Sequence, residues 1–220
     1  VSTSMVGRIL TRLKARGVLK EPVRHGVSTR KRLWRRPYAV RKPKGYGVKE
    51  PGDPDCIGVD TLDVRPLPGV VLNHFTARDV VSRWDVLEAH TRATATTAAG
   101  FLDRLLLRMP FPVRAIQVDG GSEFQAAFET ECQRRGLRLF VLPPRSPKLN
   151  GSSVERAQRT HTEEFYEVTH FSLEVAALHQ ELLDWEHTYN TIRPHQALGY
   201  LTPHQFVTRW QDQRKEAKCH

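Results

Sequence analysis

From Cys56 onward the chain lays down an order of elements that few folds accommodate. "CIGVDTLDV", "GVVLNHFTA" and "SRWDVLEAH" are short runs rich in β-branched and aromatic residues, and little chain separates them. That pattern predicts three strands in an antiparallel meander. "TTAAGFLDRLLLRM" then has helical spacing and is closed by Pro110, "VRAIQV" is a fourth strand, "SEFQAAFETECQRRG" is a helix ended by Gly136, and "LRLFVL" is a fifth strand. A loop dense in Pro, Gly and Ser, "PPRSPKLNGSS", leads into three helical segments, "VERAQRTHTEEFYEV", "SLEVAALHQELLDWEHTYNTI" and "TPHQFVTRWQDQRKEA". Three strands followed by alternating helices and strands predict an α/β fold: a five-stranded mixed sheet flanked by helices.

Charge is divided as sharply as structure. Residues 1–50 hold 15 Lys/Arg against 2 Asp/Glu, a net of +13, while residues 51–220 hold 19 against 22, a net of −3. The basic excess therefore sits on an N-terminal arm, and such an arm on a near-neutral body implies a polyanionic partner, most often nucleic acid. The arm opens with a helix, "STSMVGRILTRLKARGVLK", in which Val6, Ile9, Leu10 and Leu13 recur at helical spacing, Ser2 or Ser4 caps the start and Gly17 ends it. Residues 21–51 follow as a basic linker with Trp34, Tyr38 and Tyr46 interleaved, suited to lie along phosphates; a plain solvated linker is the alternative. No apolar run of about 18 residues is present, so no membrane span is expected, and no charged-then-apolar signal segment opens the chain. Cys56, Cys132 and Cys219 are widely spaced, which excludes a disulfide framework and zinc-site spacing and points to a reduced, cytoplasmic setting.

The chemistry gathers at three acids. Asp60 lies in the middle of the first strand, Asp119 ends the fourth, and Glu155 opens the helix after the Pro/Gly loop, with 35 residues between the last two. Asp119 alone reads as a turn aspartate. Gly120 and Gly121 after it lack side chains, so a ligand backbone can approach closely. Three carboxylates brought together suit hard divalent cations, which take oxygen ligands and retain some water. Asp63, three residues from Asp60, belongs to the opposite strand face, and Glu123 suits a helix start better than a ligand set.

An Asp in the first strand, "DGGSEF" after the fourth and "NGSSVER" at that gap resemble the D,D-35-E catalytic core of retroviral integrases and bacterial insertion-sequence transposases. "YNTIRPHQALGYLTPHQF" resembles the C-terminal segment of the bacterial integrase-type transposases, and "STSMVGRILTRLKARG" the end of their helix-turn-helix region. The resemblance covers most of the chain. It implies a ribonuclease H-like catalytic core over residues 52–170, an incomplete helix-turn-helix end over 1–20, the linker over 21–51 and a helical extension over 171–220. It also implies a DNA transposase or integrase that frees a 3′ end of a mobile element and joins it to target DNA. Asp60, Asp119 and Glu155 would be the catalytic residues and the ligands of two Mg2+ ions, with Mn2+ as the alternative. Asp60 would be shared between the ions, with Asp119 on one and Glu155 on the other.

The same resemblance implies double-stranded DNA as partner, a homo-oligomer on that DNA and a bacterial cytoplasmic, nucleoid-associated setting, with no membrane. Arg159 and Thr162 follow Glu155 at i+4 and i+7 on one helix face and are DNA-contact candidates. So are Arg156, Lys148 and Asn150 of the preceding loop and helix start, and Arg8 of the arm. In the tail, Asn190, Arg193, Pro194 and His195 form the family-like signature, Tyr189, Ile192 and Leu198 are expected to pack on the core, and His195 is expected to make a structural hydrogen bond. Because a reading unit needs its first helix, the expectation is a chain incomplete at its N-terminus. The rival readings are a nuclease of the same fold, of the ribonuclease H or resolvase type, and a domesticated DNA-binding protein without chemistry.

Overall fold

The computed structural model describes residues 3–18, 39–40, 56–142 and 153–218, so Lys148 and Asn150 lie outside the described residues. The chain divides into two units, Val1–Arg35 and Arg36–His220. The first holds α1 (Thr3–Ala15). Its end is a Schellman motif: Gly17 takes φ +68°, its N–H donates to the Lys14 carbonyl, and the Val18 N–H donates to Leu13. Of the apolar stripe read from the sequence, Val6, Ile9 and Leu10 are exposed and Leu13 is half-buried; Met5 is exposed as well.

The second unit is built on five strands, β1 (Cys56–Val64), β2 (Leu72–Asp79), β3 (Asp85–His90), β4 (Ala115–Val118) and β5 (Arg138–Val141), in the order β3-β2-β1-β4-β5. β1, β2 and β3 form the predicted antiparallel meander, and β4 and β5 join parallel to β1. The helices are α2 (Ala95–Arg108), α3 (Ala127–Arg134), α4 (Ser153–His161), α5 (Val175–Thr191) and α6 (Pro203–Lys218). α2 starts at a reciprocal capping box in which Thr94 and Thr97 each accept the other's backbone N–H.

Strand alternation sends neighbouring residues to opposite layers. On one face Ile57, Val59, Phe75, Ala77, Val86, Ile116 and Val118 pack with Phe101, Leu102 and Leu105 of α2, Phe128 of α3 and Val207 of α6. On the other, Leu72, Leu87 and Ala89 pack with Phe165 and with Leu178 and Leu182 of α5. Each fully buried Phe or Leu contributes roughly 1.5–3 kcal/mol, so burial on both faces holds the sheet between its helical layers.

Three features depart from the sequence reading. The helix expected over "SEFQAAFETECQRRG" is broken: a 3-10 turn spans Ser122–Phe124, and α3 starts only after Ala126, which sits at φ +47°. The helix expected over "VERAQRTHTEEFYEV" changes to a π-turn at Thr162–Tyr166. Ile192 is 64% exposed rather than packed, whereas Tyr189 and Leu198 are buried as expected. Val40, within the basic linker, pairs in parallel with Phe140 at the β5 edge. Its N–H donates to Leu139 and its carbonyl accepts from Val141, while the Ala39 N–H donates to Glu129. No helix among the described residues is long and apolar enough to cross a membrane.

Candidate active site

The register between β1 and β4 brings two of the three acids together. Val59 pairs with Val118 in parallel, and both side chains enter the α2 layer. Asp60 follows Val59 in β1 and faces the opposite layer, where α4 lies, and Asp119 follows Val118 just past the end of β4, close enough for its charge to act on Asp60. Each carboxylate has one oxygen engaged by the backbone: Asp60 Oδ1 accepts the Thr61 N–H at 2.8 Å, and Asp119 Oδ1 accepts the Gly121 N–H at 2.8 Å. The second contact closes the tight turn at "DGG". Burial, together with the charges of Asp119 and Glu123 and against the Thr61 hydrogen bond, pushes the Asp60 carboxyl up to about 6.

Gly58 prepares the floor for the third acid. It points to the same side as Asp60, and a Cβ placed there would lie 2.4 Å from Val154 Cγ2. Only a glycine lets the first turn of α4 settle on β1 at this distance. Val154 and Ala157 are buried in that contact, and Glu155 is exposed on the same first turn. Gln158, one turn further along α4, presents its amide to the Asp60 carboxylate. Its Nε2 is buried without a hydrogen bond of ordinary geometry.

Among the described residues, no three His, Cys, Asp or Glu side chains stand close enough to form a metal group. The structure thus joins Asp60 to Asp119 and leaves Glu155 exposed on α4, one helical turn before Gln158, which faces Asp60. The chemistry of the donors suits a hard divalent cation: two adjacent carboxylates, each with one oxygen already oriented by a backbone N–H.

Arg156 and Arg159 are exposed on α4, and Arg159 pairs with Glu163 at 2.6 Å. Thr162 opens the π-turn and donates its hydroxyl to the Gln158 carbonyl; the widened backbone bond runs from the Glu167 N–H to the Thr162 carbonyl, beyond the stretch that links Thr162 to Glu155. Arg8 is exposed on α1. Asp63 is exposed and pairs with Arg65, as expected for the outer position. Glu123 lies in the first turn of the 3-10 segment, makes no capping bond, and rests its carboxylate over the Gly121 α-carbon. Its charge reaches Asp60. Sequence reasoning missed Gln158 and this reach of Glu123; the i+3 spacing of Gln158 from Glu155 was the available signal.

In the tail signature Asn190 and His195 are buried, Arg193 is half-buried and Pro194 is exposed. Asn190 bridges the Asp85 backbone, accepting its N–H at 2.9 Å and donating to its carbonyl at 2.7 Å. Arg193 pairs with Glu164. His195 is buried with its ring 4.8 Å from that of Tyr189, and its side chain approaches Arg193 at 3.5 Å.

Residues 135–203 match the family model described as integrase core domain. Over 102 residues the chain is 29% identical to an insertion element IS476 uncharacterized 39.2 kDa protein of Xanthomonas euvesicatoria. That match takes in 46% of this chain and 29% of the relative, so the chain spans under a third of the curated relative's length. The fold is similar to the catalytic core domain of BIV integrase, with a TM-score of 0.57 at 20% identity, covering 74% of this chain and 99% of that one. It is also similar to a chain of the simian T-cell lymphotropic virus intasome in complex with PP2A regulatory subunit B56 gamma, with a TM-score of 0.59 at 15% identity over 78% of this chain and 58% of that one. The sheet order, the flanking helices and these likenesses make the fold ribonuclease H-like, and residues 135–203 are similar to the integrase core domain family.

Proposed function

We propose that this chain is a DNA transposase or integrase that cleaves the 3′ ends of a mobile element and joins them to target DNA, with Asp60, Asp119 and Glu155 as its catalytic residues. The observation that carries the reading is the Val59–Val118 register, because it makes neighbours of Asp60 and Asp119 on the side of the sheet where α4 begins. Two Mg2+ ions, or Mn2+, when bound by the three carboxylates would supply charge neutralisation at the attacking and leaving oxygens of a phosphodiester.

The chain's own residues supply the rest. The Thr61 and Gly121 N–H groups orient the two aspartates, so little reorganisation is needed as DNA arrives. Gly120 and Gly121 leave the backbone open to a close approach. Arg159, Arg156, Thr162 and Arg8, with Lys148 and Asn150, bind and align phosphates. Cleavage breaks the bond between phosphorus and the 3′ oxygen at the element end by attack of water. Joining breaks one target phosphodiester and forms a new one to that 3′ oxygen. Two element ends must meet, so the working form is a symmetric homo-oligomer on DNA, acting in the bacterial cytoplasm at the nucleoid.

The test is incubation with labelled element ends and a plasmid target, with Mg2+ or with EDTA. Ion-dependent joined product is the expected result, lost in Asp60→Asn, Asp119→Asn and Glu155→Gln while DNA binding persists. Cutting without joining would favour a nuclease of the same fold. Binding without either would favour a DNA-binding protein.

A further inference from the structure

A buried polar brace lies at the far end of the helix that carries Glu155. His161 is the last residue of α4 and is fully buried. The indole Nε1–H of Trp185, on α5, donates to His161 Nδ1 at 3.0 Å. An Nδ1 that accepts leaves the ring neutral with its proton on Nε2, and that nitrogen faces Asp85 Oδ2 of β3 at 3.1 Å, off the ideal hydrogen-bond line. Asp85 is held in turn. Arg78 grips it through two contacts of 2.6 Å, Tyr189 touches Arg78, and Asn190 bridges the Asp85 backbone. One imidazole therefore ties α4 to the sheet and to α5 at once.

The helix needs such a tie. α4 has nine residues, about two and a half turns, and Glu155 stands roughly 9 Å along the axis from His161. After His161 the ladder changes to the π-turn, so no continuing α-helix holds the register from that side. At the front end the Val154–Gly58 contact is apolar and sets distance without direction. Two fixed ends determine an axis, and a polar pair on two sides of one ring also determines the roll about it.

We propose that His161 is a positioning residue for Glu155: through Trp185 and Asp85 it sets the roll and the axial register of α4, and so the place of the Glu155 carboxylate beside Asp60 and Asp119. Under this assignment the tail signature around Tyr189 and Asn190 serves the brace by fixing Asp85. The inference rests on the function proposed above.

The test uses the full chain and three variants, Trp185→Phe, His161→Leu and His161→Gln. Trp185→Phe keeps a ring to stack on Phe165 and removes the donor. His161→Gln retains an amide that can reach Asp85, and His161→Leu retains neither contact. Mn2+ affinity, read by titration without DNA, should weaken about tenfold in Trp185→Phe and in His161→Leu and recover in part in His161→Gln, in line with the usual effect of removing a group that orients a metal ligand. Hydrogen exchange over 153–161 should quicken in the first two. In joining assays, normalised to active sites, kcat should fall while KM for DNA stays constant; a change in folded fraction alone would not produce that split. Folded variants with wild-type Mn2+ affinity, exchange and kcat would overturn the brace. A wild-type chain that neither binds Mn2+ nor joins DNA would instead overturn the functional reading, and with it the placement of Glu155 as a ligand.

Discussion

Gly58 lies directly beneath Val154: a methyl on its α-carbon would stand 2.4 Å from Val154 Cγ2. Gly58 is in β1, two residues before Asp60, and Val154 immediately precedes Glu155. The contact therefore sets how closely the start of α4, which carries Glu155, seats on β1. Val154 is buried and short, so it has little room to yield. Gly58→Ala should destabilise the fold by about 1–3 kcal/mol, the usual range for overpacking, and displace the start of α4. A displacement near 1 Å lowers joining on the order of 100-fold. Denaturant melts together with joining rates on the folded fraction check both parts; a full-rate Gly58→Ala enzyme would show that the contact does not set the Glu155 position.

Asp60 places an ionised group where burial opposes charge. Its folded-state pKa, raised to about 6 from 3.8, means that the penalty for keeping it charged is full above pH 6 and vanishes below the unfolded-state value. Asp60→Asn removes the charge. In EDTA at pH 7.5 the variant should be more stable than the wild type by about 1–3 kcal/mol, from a shift of about two pKa units, while joining is abolished. The stability gap should close as the pH falls towards 4. Paired thermal melts from pH 4 to 8 measure it, and a gap that widens in acid would reverse the sign of the argument.

His195 behaves in the opposite sense. Burial and the nearby Arg193 and Arg78 charges lower its pKa to about 4. The unfolded chain takes up a proton near pH 6.5 while the folded chain resists until about pH 4, so this side chain's contribution is intact above pH 6.5 and is lost as the pH falls through that window. His195→Gln has no such proton to take up. Relative to the variant, the wild type should lose stability between pH 6.5 and 4, and parallel melting curves would exclude the effect.

The basic arm should govern DNA affinity and its salt dependence. Arg159 pairs with Glu163 on an exposed helix face, a contact worth under about 1 kcal/mol, so phosphate can replace it. Arg159→Glu should weaken DNA binding at low salt without altering the melting temperature. Removal of residues 1–35 should flatten the dependence of log affinity on log salt. The cut must stop before Ala39, because Ala39 and Val40 hydrogen-bond to α3 and to the β5 edge. Fluorescence anisotropy at several salt concentrations reads both, and an unchanged slope would remove the arm from DNA binding.

Much of the sheet was legible because strand order depends on local pattern and short connections, and the alternation around Val59 and Val118 fixed which side Asp60 and Asp119 share. What escaped was decided by tertiary contact. "TEEFYE" reads as ordinary helix, yet Phe165 stacks on Trp185 and Tyr166 reaches His74, and the backbone widens to a π-turn around those contacts. Ala126 carries no signal for φ +47°; the break lies between two phenylalanines, Phe124 and Phe128, that both enter the core. The burial of His74 and His161 was equally invisible, since partners such as Trp185 and Asp85 lie far away in sequence. Asp60 in the middle of β1 and Asp119 at the end of β4 were both legible as strand positions. The exposed setting of Glu155 was not, because it depends on how α4 seats on Gly58.

The proposed chemistry requires Asp60, Asp119 and Glu155 to hold divalent ions in common. The most direct measurement is anomalous diffraction from crystals soaked in Mn2+. A peak shared by the Asp60 and Asp119 carboxylates is expected, with a second within reach of Glu155 and loss of the shared peak in Asp60→Asn. Peaks elsewhere, or an Asp60–Asp119 pair that stays free of metal at saturating Mn2+, would contradict it.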